Sequence, residues 1–443
     1  MPTNVIIMGA AGRDFHNFNT VFRNDPSVRV VAFTAAQIPG IAGRRYPPEL
    51  AGPRYPDGIP IEPEERLPDI LRHHAVDTVY FSYSDLSHTD VMHKASAVLA
   101  LGASFGLLGP NQTMLKAAKP VVSVGAVRTG AGKSPFTRRL LAFFRRRGYN
   151  VVAIRHPMPY GDLVRQRCQR FAALEDLDAA DCTIEEREEY EPLLRAGAVV
   201  YAGVDYQDVL ARAEREADLI VWDGGNNDFP FFRPDLHLVL LDPHRAGHEL
   251  TYHPGETNLR MADVLLVSKA NTAKPTGVKA VLASAKAANP KAPVIMLDLV
   301  LSVDRPELVR GKRVLVVEDG PTVTHGEMPY GAGYLAARRY RAAAVVDGAR
   351  HAVGSLKAAY TAYPHLRLVV PALGYNPEQL ADLQTTIDAA HCDAVVAATP
   401  SRLEHLMRLA KPVAHVTYEA KERGPELTAI LDQFVKEHLR PVH

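Results

Sequence analysis

The sequence predicts an α/β protein built on parallel sheets, and three observations predict it. Short β-branched and apolar runs alternate with amphipathic helical stretches along all 443 residues, which is the pattern of repeated βαβ units. Gly and Pro clusters recur where those runs end. One run, 121–126, breaks into Val127-Arg128-Thr129-Gly130-Ala131-Gly132-Lys133-Ser134, the form of a phosphate loop between a strand and a helix. The alternation divides into a Rossmann-like N-terminal domain (1–118), a P-loop NTPase α/β domain (119–311) and a smaller C-terminal α/β unit (312–443).

Composition narrows the function classes. Lys and Arg number 51 against 50 Asp and Glu, for a net charge of +1, so no global charge draws the chain to nucleic acid or to a membrane, and any anion site is local. Three cysteines, at 168, 182 and 392, make neither a disulfide framework nor a Cys-x-x-Cys metal site. The N-terminal segment has no signal-peptide pattern and no apolar run approaches membrane-spanning length; a cytoplasmic enzyme is expected.

In chain order, residues 4–9 read as a buried strand, 15–24 as a helix and 28–34 as a second strand. The turn between the first strand and helix is Gly9-x-x-Gly12, which lacks the full Gly-x-Gly-x-x-Gly pattern. No acidic residue closes the second strand, so a dinucleotide is not expected there. Segment 36–63 is rich in Pro, Gly and Arg and is expected to be an ordered loop, either a lid whose Arg44, Arg45 and Arg54 close over an anion or a solvated connector. Helix 63–73, strand 78–83, helix 88–101 and strand 104–108 complete the first unit.

Strand 121–126 opens the second. In the loop after it, Thr129, Gly130, Ala131, Gly132, Lys133 and Ser134 are expected to cradle the phosphates of ATP, with GTP an alternative. Lys133 reaches the β- and γ-phosphates, and Ser134 is placed for Mg²⁺. Val127 stands where the usual pattern has its first Gly. A helix over 136–147 and a strand over 150–154 follow. That strand runs into Arg155-His156-Pro157-Met158-Pro159-Tyr160-Gly161, at the sheet edge where open α/β sheets bind ligands. Acidic helices cover 174–194, a strand 198–204 and a further helix runs to 217.

The run 218–222 ends in Asp223-Gly224-Gly225-Asn226, the form of a Walker B segment whose Asp223 holds Mg²⁺. Strand 237–241 then leads to a polar loop with His244, Arg245, His248 and His253. Its spacing matches no common zinc signature, so phosphate or substrate binding explains His and Arg together. Strand 264–268 carries Lys269-Ala270-Asn271, similar to a GTPase base-reading element but with Asn271 in place of the carboxylate that reads guanine, which favours adenine. Helix 277–288 and strand 294–298 close this unit. The third has strands near 314–317, 344–345, 366–371, 394–397 and 413–418, and helices over 354–362, 378–389 and 426–438. Its distinctive loop is Glu318-Asp319-Gly320-Pro321-Thr322-Val323-Thr324-His325-Gly326.

Taken together, the loop 126–134, Arg155 to Leu163, Trp222 to Asp228 and Val317 to Gly326 resemble the cyclic 2,3-diphosphoglycerate synthetase family, whose bacterial members are often called simply GTPases. The resemblance runs through nearly the whole chain. It implies ATP- and Mg²⁺-dependent closure of an intramolecular phosphoanhydride in 2,3-diphosphoglycerate by a dimeric cytoplasmic enzyme. Two phosphates of charge near −2 held about 4 Å apart repel by ~16 kcal/mol at an effective dielectric near 20, so such a site needs converging cations. On this reading Lys133 and Arg128 stabilise the transferring phosphoryl group, and Ser134 and Asp223 hold Mg²⁺. Glu318 or Asp319 holds a second ion or orients the nucleophile. Arg155 and His156 take part in the chemistry and, with Tyr160, Asn226, His244, Arg245, Thr322 and His325, bind the substrate, while Lys269 and Asn271 contact the nucleotide. The alternatives are a P-loop kinase or ligase acting on another small anionic substrate, and a nucleotide switch with a protein partner.

Overall fold

A computed structural model describes residues 2–10, 12–36, 41, 43–156, 158, 161–225, 227–324, 326–373, 376–399 and 402–441. The first βαβ unit forms a six-stranded sheet in the order Arg45–Tyr46, Ile59–Pro63, Val28–Ala35, Thr3–Met8, Thr78–Phe81 and Ser104–Leu107. All neighbours are parallel except the short Arg45–Tyr46 edge. The expected loop 36–63 therefore contributes two strands. Its arginines are tied to backbone carbonyls: Arg45 donates to Asp57 (2.8 Å), Arg54 to Val28 (2.8 Å) and Arg44 to Gly161 (2.5 Å). None of the three lines the large cavity described below. They tie the segment to the first sheet, to itself and to the second unit rather than hold it over an anion.

The helix expected over 15–24 begins earlier, as Arg13–Asn17, and continues as a π-helical turn, Phe18–Phe22. Arg13, Asp14, His16 and Asn17 are all buried, because the second unit packs on this helix. Asp14 also turns back on the helix start and accepts N–H bonds from Gly12 (3.0 Å) and Phe15 (2.7 Å). A carboxylate thus occupies the donors a dinucleotide phosphate would need.

The second sheet has thirteen strands. The Val121–Ala126 strand lies at the centre of its N-terminal half, between Leu219–Asp223 and Leu236–Leu241, and pairs with both in parallel. Every residue of these three strands is buried, which is why they read as continuous apolar runs rather than alternating ones. Val151–Arg155 lies beyond Leu219–Asp223, and Val264–Val267 beyond Leu236–Leu241. A strand absent from the sequence reading, Cys168–Phe171, adds antiparallel to Val199–Gly203 at the far edge. At the opposite edge Val294–Val303 is longer than expected. It pairs antiparallel with Val413–Glu422 over seven registered positions, from Leu297↔Glu422 to Val303↔Val416. Val413–Glu422 then pairs with Ala394–Ala398, and that strand with Arg313–Asp319. One sheet therefore runs without a break from the phosphate loop to the third unit.

Candidate active site

The C-terminal ends of the central strands open onto a single cavity of about 770 Å³. Thr129, Gly130, Gly132, Lys133 and Ser134 line one wall, at the start of the Lys133–Arg145 helix. The turn is possible because Gly130 (φ 76°) and Gly132 (φ 106°) take left-handed conformations that a side chain would strain. Their freed N–H groups and the helix start make an anion-binding concavity. Lys133 donates to Asn227 Oδ1 (3.0 Å). Burial lowers the Lys133 ammonium from its ordinary value, and Asp223 opposes that loss. Lys269 also lines the cavity and donates to the carbonyl of Gly130 (2.5 Å), bracing the loop from the far side.

Asp223 ends its strand beside Arg155 at the registered position of the neighbouring strand. Their side chains meet at 2.7 Å (Nη1 to Oδ2) with Asp223 only 1% exposed. Arg155 also pairs with Glu189. Burial alone would lower the guanidinium, but Asp223 and Glu189 outweigh it and raise it above its ordinary value. Asp223 Oδ1, by contrast, is buried without a hydrogen-bond partner. An orphaned carboxylate oxygen beside the phosphate loop, with the half-buried Ser134 on the same cavity, suits a hard divalent cation such as Mg²⁺. His156, just past the end of the strand, donates from Nε2 to Asp228 Oδ2 (2.8 Å).

Other expected site residues have different surroundings. Arg128 is 1% exposed and does not line the cavity. Its guanidinium lies 3.6 Å over the Tyr252 ring and pairs with Asp85 (2.9 Å) and Glu327 (3.3 Å). Arg245 donates to Asp242 (2.7 Å), to the Thr129 carbonyl (2.7 Å) and to the Gly326 carbonyl. It ties the phosphate loop to the loop of the third unit without reaching the cavity. Asn271 spends its amide on the backbone of Leu299 in both directions (2.9 and 2.8 Å), which leaves no group to read a base. Ala131 is buried beneath the loop. His244 lines the cavity and hydrogen-bonds Thr272 Oγ1 (2.9 Å), and burial lowers it. The other histidines nearby diverge: His237, on the strand before the loop, meets Ser123 (2.6 Å), His248 meets Arg128, and His253 packs on Phe81. Tyr160, Asn226 and His325 lie outside the described residues.

The wall opposite the phosphate loop comes from the third unit. Glu318, Asp319, Thr322 and Glu327 line it. Glu318 accepts N–H bonds from Gly331 (3.0 Å), Gly333 (3.0 Å) and Tyr334 (2.8 Å), so both of its oxygens serve the start of the Ala332–Arg339 helix rather than an ion. Burial pushes its carboxyl up to about 7 despite those bonds, and burial raises Asp319 as well. Thr322 donates its hydroxyl to Asp319 (2.5 Å). Among the described lining residues there are seven carboxylates (Asp85, Glu188, Glu189, Asp223, Glu318, Asp319, Glu327) and four permanent cations (Lys133, Arg138, Arg155, Lys269). The sequence reading missed Asp85, Glu188, Glu189, Asn227 and Arg138. Asp85 comes from the first unit and Glu189 from a helix whose acidic run reads as a solvated face, so only the fold reveals them.

No family model matches the chain. It is 56% identical over 433 residues to a protein of Thermococcus kodakarensis named arginine synthetase ArcE, covering 98% of this chain and 97% of that one. Among solved structures, LpxK from Aquifex aeolicus in complex with ATP is 12% identical, with a TM-score of 0.43 over 78% of this chain and 95% of that one. The hydrogenase maturation factor HypB from Archaeoglobus fulgidus is 18% identical, with a TM-score of 0.28 over 41% of this chain and 81% of that one.

Proposed function

The chain belongs to the family of arginine synthetase ArcE, and from that premise we propose that it is an ATP-dependent synthetase that makes arginine. The chemistry fits the parts of the site. Arginine's guanidinium differs from the neutral ureido group of citrulline by one nitrogen in place of one oxygen. That oxygen leaves only after activation, and transfer of a γ-phosphoryl group to it is such an activation. Lys133 and the backbone of the loop would bind and orient the nucleotide phosphates, with Lys133 meeting the charge that develops on the moving group. Ser134 and Asp223 would hold Mg²⁺, which when bound neutralises phosphate charge.

The observation that carries the reading is the wall of the third unit. Glu318 and Asp319 face the phosphate loop across one cavity, and carboxylates outnumber permanent cations there. That excess of acidic groups favours a cationic guanidinium product over a substrate with two phosphates; Glu318 and Asp319 add less than full charges to it, because burial raises both carboxyls.

Closure of cyclic 2,3-diphosphoglycerate is the second reading. The cluster of Lys133, Arg138 and Arg155 with His156 and His244 on the same cavity favours it. One experiment separates the two. With ATP, Mg²⁺, ammonium and citrulline, arginine, ADP and phosphate should appear in equal amounts. If no arginine forms while 2,3-diphosphoglycerate gives upfield anhydride signals in ³¹P NMR, the order of the two readings is reversed.

A further inference from the structure

A His-Asp-Arg chain crosses from the cavity into the first unit. His156 lines the cavity and is 6% exposed. Its Nε2–H donates to Asp228 Oδ2 at 2.8 Å, and the other oxygen of Asp228 lies 3.6 Å from Arg13 Nε. Asp228 and Arg13 are 2% and 6% exposed. Arg13 is held in turn by the rings of Phe229 (4.1 Å) and Phe231 (4.4 Å) and by the carbonyl of Phe229. The carboxylate only accepts, so the hydrogen bond fixes the proton of a neutral imidazole on Nε2 and leaves the Nδ1 lone pair open. Nδ1 lies beside Gly225: a side chain there would meet Cβ of His156 at 2.8 Å and Nδ1 at 3.1 Å. Gly225 itself lines the cavity, so the open nitrogen borders the reaction space. This is the geometry of a base held in one orientation by a buried carboxylate.

We infer that His156 is the general base that removes a proton from ammonium, releasing the ammonia that attacks the activated ureido carbon, with Asp228 and Arg13 as positioning residues. The inference rests on the arginine reading above. The atoms balance as follows. Ammonium gives one proton to His156 Nδ1, and the lone pair so freed forms the new C–N bond. The carbon–oxygen bond to the phosphoryl group breaks, with its electron pair leaving on the phosphate oxygen. One proton of the added nitrogen passes to that phosphate, and the guanidinium remains. His156 then returns its proton to solvent, so each turnover consumes ATP, ammonium and the ureido amino acid and yields ADP, phosphate, arginine and one proton. Acidic side chains outnumber lysines and arginines among the described lining residues of the same cavity, which favours entry of the cationic form that such a base acts on. The other titratable groups packed near His156 are His16, stacked on Phe231 at 3.9 Å, and His253 beyond Asp228.

The test compares two nucleophiles in the full-length enzyme. Ammonia is mostly protonated at neutral pH and needs the base, whereas hydroxylamine, a much weaker base, is already neutral. His156→Gln should lose about 100-fold or more of its turnover with ammonium, ATP and citrulline. With hydroxylamine the deficit should narrow to within about tenfold, and the ammonium rate of the variant should rise with pH as free ammonia accumulates. Asp228→Asn should give the same nucleophile-dependent pattern with a smaller loss. Equal deficits of His156→Gln with both nucleophiles, at unchanged thermal stability, would overturn the assignment of the base. A wild-type enzyme that makes neither arginine from ammonium nor N-hydroxyarginine from hydroxylamine would overturn the arginine reading instead. Should His156→Gln misfold, a wild-type rate with ammonium that does not vary with pH between 6 and 8 would also count against the base.

Discussion

Replacing Arg155 by Met keeps the bulk of the side chain and removes the cation that faces Asp223 and Glu189. In the folded protein Asp223 is 1% exposed and Arg155 is its ion-pair partner at 2.7 Å. At an effective dielectric near 20, two unit charges about 4 Å apart interact by roughly 4 kcal/mol. Removing one partner of a buried pair costs about 3–5 kcal/mol, because the other charge stays buried without compensation. At ~2–4 °C per kcal/mol for a large domain, the melting temperature should fall by roughly 10 °C at pH 8. One feature distinguishes this from general core damage. Mg²⁺ should stabilise the variant more than the wild type, because the ion replaces the missing cation beside the open Oδ1. Trp222 is the only tryptophan, fully buried and adjacent to Asp223, so its fluorescence follows unfolding of this strand directly. Equal melting temperatures for variant and wild type would refute the buried-pair argument. Equal stabilisation of both by Mg²⁺ would remove the ion from Asp223.

Two further outcomes are expected. Lys133→Ala should lower ATP turnover by about 100-fold or more while the melting temperature moves by only a few degrees, since the lysine is a charge on the cavity wall rather than core packing; turnover within tenfold of wild type would displace the phosphate-loop assignment. Burial lowers His16 to about 3 and His237 to about 4, so the stability they lend is present above pH 6.5 and is lost as pH falls toward those values. Each contributes up to about 1.36 kcal/mol per pH unit in that window. Glu318, raised to about 7, works in the opposite sense between its unfolded value and 7. With His253, which burial also lowers to about 4, three groups against one leave a net loss, so denaturant midpoints should fall between pH 6 and 5, and His237→Asn should flatten the slope.

Much of the architecture was legible because local rules and global packing agree. The runs at 121–126, 218–222 and 237–241 can only be central strands, and a Gly-x-Gly-Lys-Ser turn after the first of them has few other uses. Asp223 and Arg155 were legible as strand-end residues, though not as a pair, since pairing depends on which strands become neighbours. Cations were harder. Arg128 and Arg245 look like anion binders beside a phosphate loop, yet both are buried ties whose donors are taken by carboxylates and carbonyls. An isolated Arg carries no sequence signal that separates these roles. The antiparallel joint between Val294–Val303 and Val413–Glu422 was also out of reach, because strands more than a hundred positions apart share no local pattern. The same holds for Asp228, whose importance depends on Arg13 arriving from the first unit.

That joint has a consequence for how the protein can be cut and recombined. The phosphate loop and the carboxylate wall look like separable modules in the primary structure, and gene fragments ending near 311 would be natural choices for expression or shuffling. Such a fragment would leave Val294–Val303 as a ten-residue edge with alternate residues buried and its hydrogen-bonding groups unpaired from position 297 onward. A long apolar edge of this kind recruits other strands, so the truncated piece would aggregate or pair with a second copy of itself. Inheritance of the two halves is thereby locked together, and substrate preference is a property that variation must alter within the cavity rather than by exchanging the C-terminal third.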